Sequence, residues 1–169
     1  MAIFKHKEQR VAVFIDTQNL YHSAKNLYKR KVNFGNILKE AVAGRKLVRA
    51  IAYVIDSDSK EEQAFFDALN KAGIETRVKG IQVFSDGSKK ADWDIGMAVD
   101  AMLMAPKVDA IILMTGDGDF VPLVEYLRQT TQMEACTFGQ SASITLKESV
   151  DHFLDLSENP KKYLIEGRG

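Results

Sequence analysis

The sequence predicts an α/β domain built on a mostly parallel sheet flanked by helices, and three observations lead there. Apolar, β-branched runs recur along the chain, stretches of ten or more residues with helical character lie between them, and no repeat, low-complexity segment or Pro/Gly-rich linker divides the 169 residues. Strands separated by helix-length connections cannot pair as hairpins, so they pair in parallel through right-handed crossovers.

The strands are expected at residues 11–15, 48–55, 75–84 and 110–114, with a weaker fifth at 134–138. Helices are expected at 17–30, 34–43, 59–71, 92–104 and 120–129, with a short one near 141–148. The three prolines, Pro106, Pro122 and Pro160, stand singly at element edges. Residues 85–90, Ser-Asp-Gly-Ser-Lys-Lys, form the most polar loop. One domain spanning 1–169 is the expected division, with a core over about 11–156 and a peripheral tail at 157–169.

Composition narrows the setting. At 46% hydrophobic and 27% charged the chain has enough apolar material for a sizeable core. Its uninterrupted apolar runs, such as those at 11–15 and 110–114, are far short of the roughly 20 residues that cross a bilayer, so no membrane association is expected. The first residues lack a signal-peptide h-region, and the lone Cys136 offers neither a disulfide nor a thiolate zinc clip. Both features point to a reducing, cytoplasmic setting, and any metal must be held by oxygen or histidine.

The formal net charge of +0 hides an asymmetry: residues 1–49 carry eleven Lys/Arg and three Asp/Glu, whereas residues 50–169 carry twelve and twenty. Lys29, Arg30 and Lys31, then Arg45, Lys46 and Arg49, are candidate contacts to a polyanion backbone, the competing reading being solvated helix surface.

The acids matter by position. Asp16 directly follows the first strand, and Thr115-Gly116-Asp117-Gly118-Asp119 directly follows the fourth, so their side chains emerge at the carboxyl edge of the sheet, where open α/β sheets bind ligands. A strand order 3-2-1-4-5 sets Asp16 beside Asp117 and Asp119 at the switch point, with the two glycines letting the loop turn sharply. Asp92-Trp93-Asp94 opens the intervening helix, Asp92 fits its N-cap, and Asp100 lies further along as a supporting site residue or a partner for a basic side chain. Converging carboxylates resist ionisation together, and a hard divalent cation, Mg²⁺ or Mn²⁺, resolves the conflict. Two such ions would orient and deprotonate a water and stabilise the leaving oxygen in phosphodiester cleavage. Asn19 can point back to the same rim, and Thr115 can hydrogen-bond a ligating carboxylate. His6, His22 and His152 read as structural or surface residues, and Trp93, Met97, Met102 and Met104 as core.

Three segments carry a family resemblance: Phe14-Ile15-Asp16-Thr17-Gln18-Asn19-Leu20, Asp92-Trp93-Asp94-Ile95-Gly96-Met97-Ala98-Val99-Asp100, and Thr115-Gly116-Asp117-Gly118-Asp119-Phe120-Val121-Pro122-Leu123. In this order and spacing they resemble the NYN domain, in its LabA-like branch within the PIN-like nuclease superfamily. The resemblance implies a Rossmann-like, PIN-type domain, a divalent-metal site formed by Asp16, Asp94, Asp117 and Asp119 with Asn19 beside it, and action as a ribonuclease on RNA, expected to be single-stranded. A homo-oligomer is a further expectation. The alternative is a non-catalytic RNA-binding or regulatory interaction module that keeps the acids for folding or ligand contact. A haloacid-dehalogenase-like phosphatase is disfavoured, because Gln18 stands where its general acid belongs.

Overall fold

The computed structural model describes residues 5–56, 61–80, 82–87, 89–90 and 92–165. Strands β1 (Arg10–Asp16), β2 (Lys46–Ile55), β3 (Glu75–Lys79), β6 (Ala110–Met114), β7 (Gln132–Thr137) and β8 (His152–Asp155) make one sheet in the order β3-β2-β1-β6-β7-β8, and every neighbouring pair is parallel. Two short strands, β4 (Gln82–Val83) and β5 (Lys89–Lys90), pair antiparallel as a separate ribbon. The helices are α1 (Thr17–Tyr28), α2 (Phe34–Val42), α3 (Glu61–Lys71), α4 (Asp94–Met104), α5 (Val121–Leu127), α6 (Ile144–Ser149) and α7 (Pro160–Tyr163).

Central strands β1 and β6 are apolar on both faces because both are covered. Val13 and Ile15 pack with Leu20 of α1, Ile37 of α2 and Leu69 of α3; Ala12 and Phe14 point the other way, towards Met97 and Ala101 of α4 and Val124 of α5. The period-two alternation of β1 thus feeds two cores, one on each side of the sheet.

Several expectations are revised. The segment 75–84 is not one strand: β3 stops at Lys79 because its partner β2 ends at Ile55, and Gln82–Val83 pairs instead with Lys89–Lys90, the turn between them including Gly87, whose φ of 87° suits glycine. A sixth strand, β8, extends the expected order; it starts with His152 and ends with Asp155, so it carries no apolar run to announce it. The expected third helix begins at Ser59, which lies outside the described residues, as do Ser88 of the polar loop and residues 166–169 of the tail. Met102 is exposed rather than core, because α4 turns Met97 and Met104 to the sheet and Met102 away from it.

At the amino edge of the sheet Arg45 is wholly withdrawn from solvent. Its five N–H donors reach Val42 O, Gln9 Oε1, Ala41 O and, bidentately at 2.7 and 3.0 Å, the two oxygens of Glu134. This corrects its assignment as a polyanion contact: Arg45 ties β7 to the turn before β2 and has no donor left for a ligand. Cys136 is buried in the core, and burial pushes its thiol well above the usual range. No helix among the described residues is long and apolar enough to cross a membrane.

Candidate metal centre

The site is assembled where β1 and β6 end side by side. Ile15 is in register with Met114, so the next residues, Asp16 and Thr115, are neighbours across the switch point between β1 and β6. Thr115 Oγ1 donates to Asp16 Oδ2 at 3.0 Å and accepts from Asp117 N at 3.2 Å. Asp16 is the N-cap of α1: its Oδ1 accepts from Asn19 N at 3.2 Å. Asn19 in turn accepts from Gly116 N at 2.9 Å through its side-chain oxygen. Four residues therefore lock the β1–α1 turn to the loop after β6.

That loop needs glycine for space rather than for a left-handed turn. A Cβ on Gly116 would lie 3.0 Å from Ala142 Cα, and one on Gly118 would lie 2.8 Å from Ser143 Oγ. The segment entering α6 is held against the loop by a bond from Ser143 N to Gly116 O at 2.9 Å. The close approach fixes Asp117, which caps the short 3-10 turn Gly118–Phe120 by accepting from Asp119 N at 2.9 Å.

From the other side comes α4, with Asp94 as its first residue. Asp92 is not its N-cap, since that position belongs to Trp93; Asp92 instead accepts from Asp94 N at 3.1 Å in an Asx-type turn. Asp94, Asp117 and Asp119 each offer a carboxylate oxygen, and these three atoms lie within 4.8 Å of one another. Asp16, with its two oxygens turned to Thr115 and Asn19, stands outside this group of three but lines the same cleft as Asp94 and Asp117. Asp119 is exposed at the margin.

The electrostatics follow. Burial, then the charges of Asp117, Asp92 and Asp16, push the Asp94 carboxyl up to about 7, and a hydrogen bond shared with Asp117 adds to the rise. Asp16 is also raised, chiefly by burial, against the opposing pull of the Asn19 N–H and the Thr115 hydroxyl. An all-oxygen donor set with excess negative charge suits a hard divalent cation, and Asp94, Asp117 and Asp119 fit one.

The cleft above these acids has a volume of about 330 Å³, and its remaining wall includes Gln18, His22, Tyr53 and Trp93. Trp93 donates from Nε1 to Val54 O at 3.0 Å and carries Lys79 Nζ 4.6 Å above its ring. Its ring also explains Gly96, where a Cβ would meet Trp93 at 2.7 Å. His22 and Trp93 are wall residues that sequence reasoning assigned elsewhere; the signal for His22 was its position one helical turn beyond Asn19. Asp100 is held away from the acids as a partner of basic and phenolic groups: Tyr53 donates to it at 2.6 Å, and Arg77 lies at 3.3 Å.

The basic residues singled out in the sequence do not border this cleft. Lys46 pairs with Glu8 at 2.6 Å and Arg49 with Glu75 at 2.6 Å. Both lie towards the amino end of the sheet, Lys46 in register with Arg10 and therefore about 20 Å of strand from Asp16. Lys29, Arg30 and Lys31 follow the last turn of α1, whose 12 residues carry the chain about 18 Å from the rim.

The NYN domain model matches residues 10–157, which takes in every element that builds the cleft. The chain belongs to the NYN domain family. Over 90% of its length, and 86% of the relative's, it is 30% identical to the low amplitude and bright protein LabA of Synechococcus elongatus, in keeping with the LabA-like branch. A solved structure of a Vibrio parahaemolyticus protein of unknown function is also 30% identical and superposes with a TM-score of 0.86, covering 96% of this chain and 100% of the other. The NYN domain is thus present with its PIN-like α/β sheet and with an aspartate cluster at the carboxyl edge of that sheet.

Proposed function

We propose that this NYN domain is a divalent-metal-dependent ribonuclease that hydrolyses RNA phosphodiester bonds in the acidic cleft. The observation that carries this reading is the convergence of Asp94, Asp117 and Asp119 on one point, beside Asp16, at the switch point of the sheet. Asp94, Asp117 and Asp119 would hold Mg²⁺ or Mn²⁺, with Asp16 facing the same space. When bound, the cation would neutralise the phosphate and favour ionisation of a nearby water.

The chain's own groups divide the remaining work. Thr115 and the Asn19 N–H hold the Asp16 carboxylate in one orientation, so its charge is fixed before substrate arrives. The side-chain oxygen of Asn19 is committed to Gly116, which leaves its amide nitrogen as the donor available to a phosphate oxygen or a water. Asp94, whose carboxyl is raised by burial and by its acidic neighbours, is the group whose ionisation a bound cation would favour.

The test is cleavage of labelled single-stranded RNA with Mg²⁺ or Mn²⁺. Loss of cleavage in EDTA and a drop of about 10² or more in Asp16→Asn and Asp94→Asn are expected. RNA that is bound but never cut, with any of these cations present, favours the non-catalytic binding module instead.

A further inference from the structure

The outer face of α1 connects the acidic cleft to the basic cluster at its far end. Gln18 and His22 line the cleft. Continuing along the helix at three- and four-residue steps come Tyr21, Lys25 and then Lys29, while Leu20, Ser23 and Ala24 take the buried side. Tyr21, His22, Lys25, Lys29, Arg30 and Lys31 are all exposed, Tyr21 at 44%.

Their chemistry is consistent along the stripe. Tyr21 packs edge to face with His22, ring centroids 5.5 Å apart, and Lys25 Nζ lies 5.9 Å from the Tyr21 ring. An aromatic face flanked by cations suits a stacked base with phosphates to either side. No acidic residue interrupts the chain between Asp16 and Glu40. Among the described residues Lys25, Lys29, Arg30 and Lys31 form no salt bridge, whereas Arg45, Lys46 and Arg49 are each matched by a carboxylate.

Resting on the reading of RNA as substrate, we infer that single-stranded RNA runs along α1: one nucleotide enters the cleft beside Asn19 and His22, a base stacks on Tyr21, and the following phosphates meet Lys25, Lys29, Arg30 and Lys31. The helix spans about 18 Å, which accommodates a few nucleotides of extended strand. The track assigns a role to the unmatched cations and none to the paired ones.

A fluorescein-labelled oligouridylate, titrated against the full chain in EDTA so that cutting plays no part, tests the track by anisotropy across a series of salt concentrations. The double variant Lys25→Gln/Lys29→Gln should lower the slope of log K against log salt by about 1.4, two contacts at about 0.7 each for a single strand. Tyr21→Ala should weaken binding about five-fold or more at constant slope. The control Lys46→Gln/Arg49→Gln removes the same charge from the amino edge and should leave the slope nearly unchanged. Equal slopes in the wild type and Lys25→Gln/Lys29→Gln, or a larger loss in the control, would overturn the track while RNA binding itself stood. Wild-type protein that bound no RNA at low salt would overturn both the track and the RNA reading beneath it. Tyr21, Lys25, Lys29 and Lys46 are exposed and Arg49 is half-buried, and unchanged melting curves verify that the variants are folded.

Discussion

The two edges of the central sheet handle buried charge in opposite ways. At the amino edge, Arg45 and Glu134 are matched one to one, both carboxylate oxygens and all five guanidinium donors being used. At the carboxyl edge, Asp16, Asp92, Asp94 and Asp117 face one cleft, and among the described residues no lysine or arginine lines it. A matched pair holds strands in place and asks nothing of a ligand. An unmatched cluster stores repulsion that only a proton or a cation relieves, so the first edge serves folding and the second is open to chemistry.

Breaking the matched edge should have the largest effect. Glu134→Gln leaves a buried guanidinium without its counter-charge, and a loss of about 3–5 kcal/mol in urea-induced unfolding is expected. Replacing both Arg45 and Glu134 with apolar residues of similar volume should cost much less, because no orphaned charge remains.

At the unmatched edge the sign reverses. Mg²⁺ or Mn²⁺ at 100 times its dissociation constant should stabilise the folded protein by about 2.7 kcal/mol, seen as a rise in melting temperature. Asp117→Asn should blunt that response and leave the metal-free protein equally or slightly more stable, since asparagine can still cap the Gly118–Phe120 turn.

A smaller effect concerns pH. The Asp94 carboxyl is raised in the folded protein to about 7 from an ordinary value near 4. Between those values the folded state holds the proton that the unfolded chain has released, so metal-free stability should fall as pH rises from about 4 to 7. Asp94→Asn should flatten this dependence in a series of melting curves. Smallest of all, Lys46→Gln should leave the melting temperature nearly unchanged, because its pair with Glu8 is solvent-exposed.

The same contrast explains what could be read from the sequence. Asp16 and Asp117 were legible because the first follows directly, and the second after Thr115 and Gly116, on a run of buried apolar residues, and a strand's end fixes the edge to which the next residues belong. The order of the five anticipated strands was legible for the same reason. The Arg45–Glu134 pair was not, since its partners are 89 residues apart and neither sits in a motif. Arg45 therefore looked like one more member of a basic cluster. The wall formed by His22 and Trp93 depends on how α1 and α4 are rotated against the sheet rim, which periodicity leaves open once both helices carry apolar residues on more than one face. Strand β8 escaped because an edge strand of four half-buried residues needs no apolar run.

The unmatched edge is most directly tested by coupling cation binding to cutting in one protein. Labelled single-stranded RNA should be cleaved by the wild type with Mn²⁺ or Mg²⁺ and spared in EDTA, and Asp94→Asn should lose both the cleavage and most of the cation-induced rise in melting temperature. Cleavage that persisted undiminished in a folded Asp94→Asn protein, or a melting temperature unmoved by millimolar magnesium, manganese and calcium alike, would contradict a cation-holding catalytic centre at this edge.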